Sequence, residues 1–170
     1  MDLQRFERWV TVSHAVGGRV ETFMMPLLQN LGRMDCQLIA DDARFLELAP
    51  DDRGTVEESL LLTERVTLSY LWVLGAYEFA RALNQRLSGH PLVRHVQIVK
   101  QNINRLRVPL AKMEAAKRSP YDSHIAYPAL NEEHGIAWQI AENEYIARRE
   151  LADQLLACLE AYKEHEIAGE

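Results

Sequence analysis

The residues with the clearest chemical potential in this sequence are cations. Between Pro91 and Arg118 stand Arg94, Lys100, Arg105, Arg107, Lys112, Lys117 and Arg118, with Glu114 the single acid. The whole chain of 170 residues carries a formal charge of −6. So sharp a local reversal marks a site for an acidic protein or a phosphate-bearing ligand such as nucleic acid. Arg94, Lys100, Arg105, Arg107 and Lys112 are its expected binding residues. The opposing explanation is internal: the acidic segment 35–64 or the acidic C-terminal helix docks on this face. The stretch has no interleaved aromatic or glycine-rich motif, so no base readout is expected.

Other chemistries leave weaker marks. A phosphate cradle needs clustered glycines between a strand and a helix, and Gly17-Gly18 is the sole pair. Zinc needs closely paired Cys or His, but His90 and His95 do not share a helical face. His124 and His134 fall on opposite arms of an expected hairpin. Neither Cys36 nor Cys158 has a histidine nearby in sequence to act as its base. Asp41-Asp42 and Asp51-Asp52 have the oxygens a hard cation prefers, yet read as a solvated acidic connector. No metal or cofactor is expected.

Arg118 and His124, separated by five residues, resemble the short Arg-to-His motif of the HEPN superfamily, helical domains that include prokaryotic ribonucleases. The resemblance spans seven residues. It implies His124 as general base for attack by a ribose 2′-hydroxyl, without metal. Arg118 would be the cation stabilising charge on the phosphate, in a site formed across a homodimer. In this chain Ser119 and Pro120 follow the arginine where that family usually has a polar amide, acid or imidazole. The two functional expectations are a non-enzymatic interaction or regulatory module using the basic face, and this ribonuclease type as the alternative.

The elements that must position these groups are mostly helical. Thr55–Leu87 reads as one long helix, on the order of 50 Å at ~1.5 Å per residue. Thr55 and Glu58 form a capping box at its start. Gly89 and Pro91 mark its end and the next beginning. Its middle is apolar on every side, which predicts burial of both Trp72 and Leu74. The uncharged run Val66–Tyr77 is too short for a membrane, which takes roughly 20 apolar residues.

Before it, helical stripes run to Gly17-Gly18 and from Val20 to Gly32, with Pro26 kinking the second or starting it anew. Gln37–Ala40 reads as a short strand, or the chain turns helical through Arg44–Leu48. After it, Pro91–Arg118 forms a helix antiparallel to the long one, bent or split after Arg107 by Pro109. Alternation over Ile125–Ala129 and Ile136–Ile140 predicts a small β-hairpin at about 124–141, with Pro128 confining its first strand to an edge. A helix starting at Asn131 is the rival. A last helix spans about Asn143–Glu164, and the final five residues or so should fray.

The expectation is thus an all-α fold, a single domain over residues 1–170. Four to six helices pack around the long helix at about 55–87, with one hairpin. Cysteines without metal or redox spacing fit a reducing compartment. The charged N-terminal stretch lacks a signal peptide's apolar centre, which points to the cytoplasm.

Overall fold

A computed structural model describes residues 2–169. Six helices carry the fold: α1 (Leu3–Arg19), α2 (Met24–Glu47), α3 (Pro50–Arg53), α4 (Val56–Arg86), α5 (Val93–Lys112) and α6 (Arg148–Ala168). Strands β1 (Tyr127–Asn131), β2 (Gly135–Ala141) and β3 (Glu144–Ala147) form an antiparallel sheet in the order β1-β2-β3. The five long helices close a ring in which α1 packs on α2, α2 on α4, α4 on α5, α5 on α6, and α6 on α1. The sheet seals this core through β2, whose Ile136, Trp138 and Ile140 are buried against it.

The long helix forms where its caps place it. The Glu58 N–H donates to Thr55 Oγ1 at 3.2 Å. The reciprocal arm of the capping box is absent, because the Glu58 carboxylate accepts from Arg44 at 2.8 and 3.0 Å. Gly89 adopts the left-handed conformation, φ +86°, that turns the chain back into α5. Pro128 sits on the edge strand β1, paired with Trp138. Pro109 lies inside α5 without dividing it, and the helix continues to Lys112.

Burial around α4 is uneven. Trp72 is wholly buried, its indole N–H donating to the Leu31 carbonyl at 3.0 Å. Leu74, expected to be buried as well, is only half-buried, and Leu71 is 48% exposed. The elements α2, α5, α6 and β2 pack on α4 without covering Leu71, so all-round apolarity does not mean all-round burial here. Trp72→Ala should therefore cost about 3–5 kcal/mol, whereas Leu74→Ala should stay below the ~2 kcal/mol that begins the range for a buried leucine. Urea unfolding of both variants measures the contrast, and equal losses would place Leu74 in the core.

Four boundaries differ from the sequence expectation. The first helix ends within a residue of Gly17-Gly18, at Arg19, but Gly32 ends no helix, and α2 runs through it to Glu47. Gly17 and Gly32 are contact points between α1 and α2: a Cβ on Gly17 would lie 2.8 Å from that of Met25, and one on Gly32 would overlap Trp9. Residues 37–47 are the second half of α2, so the helical reading from Arg44 holds up to Glu47 while the strand and connector readings fail, and Pro26 lies in the first turn of that helix. Asn143 opens no helix. It takes a left-handed φ of 58° in the turn between β2 and β3, a conformation asparagine tolerates, and a third strand precedes α6. Finally α6 stays helical to Ala168, because Glu166 bonds His90 at 2.9 Å and Arg19 at 3.3 Å.

Candidate functional site

The basic face is built from α5 and the irregular segment that follows it. Met113 ends α5 in a left-handed conformation, φ 55°. The chain then turns back so that Lys117 and Arg118 stand opposite Lys100, Arg107 and Lys112 across a cleft of about 520 Å³. Two fastenings hold the returning segment. Ala116 is buried, and Arg105 grips the far end, donating to Asp122 at 2.7 and 2.8 Å. Arg105 also donates to Glu144 of β3 at 2.6 and 2.8 Å. Hydrogen bonds to these two carboxylates raise its already high pKa further, so it remains a cation.

The expected binding residues thus divide into three groups. Arg105 lines the cleft but is committed to the internal clamp, through Asp122 and Glu144 rather than through segment 35–64. Arg94 is exposed on the first turn of α5 and does not line the cleft. Lys100, Arg107 and Lys112 do line it, joined by Lys117 and Arg118. The side chains of Lys100, Lys112, Lys117 and Arg118 have no ion-pair or hydrogen-bond partner among the described residues. Arg107 lies over the Tyr77 ring of α4, its guanidinium carbon 4.7 Å from the ring centre. Cation–π attraction keeps it there without neutralising it.

Arg118 and His124 are both exposed and both outside the helices, in a turn and a bend. Arg118 lines the cleft and His124 does not.

Two further charged clusters lie where sequence periodicity marked nothing. In the core, Asp35 of α2 is fully buried and accepts from Arg5 at 2.6 Å, Trp9 at 2.9 Å and Arg148 at 2.5 Å. Nearby, buried Asp42 accepts the Ile136 N–H at 3.2 Å and stands 3.8 Å from Arg65. Burial raises the Asp42 pKa and lowers that of Arg65, so desolvation outweighs their mutual attraction. The stretch 35–47 is therefore a structural element with two interior carboxylates, and no solvated linker. Burial also pushes the thiols of Cys36 and Cys158 up to about 11, far from thiolate chemistry at neutral pH.

The second cluster joins His90, at the start of the α5 turn, to His165 and Glu166 at the end of α6. One ligand atom from each lies within 4.8 Å of the others. A His₂Glu set suits zinc, but the hydrogen bonds here set a different role. His90 Nδ1 accepts the Leu92 N–H at 3.1 Å, so a neutral ring carries its proton on Nε2 and donates to Glu166. The Nε2 lone pair that a metal requires is thereby occupied. Glu166, its pKa lowered first by this hydrogen bond, also meets Arg19. The cluster is a latch between the α4–α5 turn and the C-terminus. Only a histidine pair 75 residues apart marks it in the sequence, and folding alone brings that pair together.

No protein-family model, curated protein or solved structure matches the chain, so the fold and the cleft carry the functional reading by themselves. None of the described helices is long and apolar enough to cross a membrane.

Proposed function

We propose that this protein is a non-enzymatic binding module that holds a phosphate-bearing partner in the cleft between α5 and the segment 113–119. The supporting observation is the convergence of Lys100, Lys112, Lys117 and Arg118 on one concavity whose single lining carboxylate, Glu114, forms an ion pair with none of them. Four such charges repel one another, and the compact state tolerates them most easily when an anion fills the space between them. The neighbouring Arg105 makes the comparison clear. Where the protein itself uses a cation on this face, it supplies two carboxylates at hydrogen-bonding distance. Phosphate is the better match than an isolated carboxylate, because its several oxygens accept from more than one cation at once.

Fluorescence anisotropy with a labelled single-stranded RNA tests the reading. Binding should weaken steeply with salt, as neutralised phosphates release counterions. Replacing Lys100, Lys112 and Lys117 together by Gln should flatten the log–log salt slope by about 2, from ~0.7 per lost phosphate contact on a single strand. The absence of binding at low salt to RNA, or a triple variant with the wild-type slope, would overturn the proposal. RNA cleavage in EDTA that disappears in His124→Ala would overturn the non-enzymatic part and restore the Arg118–His124 alternative.

A further inference from the structure

The cleft contains more than charge. Its lining includes Tyr77 and Arg107, stacked 4.7 Å apart, together with the amide side chains of Gln97, Gln101 and Asn104. Tyr77 comes from α4, so the aromatic that the basic stretch lacks in sequence is supplied by the antiparallel neighbour. We infer that the cleft takes a nucleotide unit, free or at the end of a single strand, with its base on the Arg107–Tyr77 stack and its phosphates among Lys100, Lys112, Lys117 and Arg118.

Three features converge on that class. A guanidinium plane supports base stacking as aromatic rings do, and Arg107 is kept over a ring while remaining charged. Side-chain amides offer the donor and acceptor pair that reads base edges. The volume of about 520 Å³ falls within the ~300–1,000 Å³ of small-molecule sites. A regular duplex needs an extended surface, and an acidic peptide leaves the stack and the amides without a partner. A simple inorganic polyphosphate would use Lys100, Lys112, Lys117 and Arg118 alone.

This inference rests on the anion-binding reading above, and the two fail differently. Isothermal titration of the full chain, without divalent metal, compares adenosine triphosphate with inorganic tripolyphosphate. Stacking a base contributes roughly 1–3 kcal/mol, so the nucleotide should bind about fivefold tighter or more. Arg107→Lys keeps the charge and removes the planar stack. It should reduce that preference to near unity while tripolyphosphate affinity stays within about twofold. Oligonucleotides with and without a 5′-phosphate separate the sources, since a strand-end site favours the phosphorylated form. Equal binding of nucleotide and tripolyphosphate, or an Arg107→Lys variant that loses both equally, sinks the nucleotide assignment and leaves the anion site standing. Binding of neither compound removes both.

Discussion

Asp35→Ala is expected to destabilise the fold by about 3–5 kcal/mol, the usual loss when one partner of a buried ion pair is removed. Asp35 has no exposed surface, and its two oxygens accept from Arg5, Arg148 and the Trp9 indole. Without it, Arg148 is a cation with no exposed surface and no carboxylate at ion-pair distance. Arg5 fares better because Asp153, half-exposed, still meets it at 2.6 Å. The loss should therefore come mainly from Arg148. Truncating that residue in the same chain, as Asp35→Ala with Arg148→Met, should recover part of the stability, because an apolar chain of similar length fills the site without charge. Equilibrium urea unfolding of the single and double variants gives the coupling. A single variant that loses less than about 1 kcal/mol would show that water reaches Arg148 and that the site is not a dry ion pair.

Gly32→Ala is expected to cost up to about 2 kcal/mol net, against the ordinary preference of helices. In a helix interior alanine is favoured over glycine by roughly 1 kcal/mol. Here a Cβ would overlap both the Cβ and Cγ of Trp9. Trp9 is fully buried, and its ring N–H is fixed to Asp35 at 2.9 Å. The indole can withdraw only by breaking that hydrogen bond, so α1 and α2 must separate. Overpacking of this kind typically costs 1–3 kcal/mol, enough to exceed the helical gain. Thermal unfolding monitored by circular dichroism decides the sign. Gly18→Ala serves as the internal control, since that position in α1 faces open space and should show the helical gain alone. A stabilised Gly32→Ala would mean that the α1–α2 interface repacks freely.

Much of the architecture is determined locally and is legible in the chain. Thr55 and Gly89 bound the long helix because a side-chain cap and a left-handed glycine act over three or four residues. The alternation of Ile136, Trp138 and Ile140 marks a strand with an apolar face, although burial in the fold also reaches Gly135 and Ala137 on its other face. Pro128 is confined to an edge because it has no N–H to give a second neighbour. The concentration of cations on α5 is likewise a matter of sequence.

What each cation does was decided by the tertiary structure. Arg105 and Arg107 are two residues apart and alike in type, yet one is clamped by Asp122 and Glu144 and the other rests on Tyr77. Those partners come from three separate elements. The acidic run at 35–47 reads locally as a solvated connector, since aspartates are rarely buried alone. Arg5, Arg148 and Trp9 make burial of Asp35 affordable, and α6 and α1 deliver them from opposite ends of the chain. Sequence periodicity reports which surface a segment prefers to hide. The partner that makes hiding a charge possible, and the neighbour that leaves Leu71 uncovered, exist only after the helices have closed their ring.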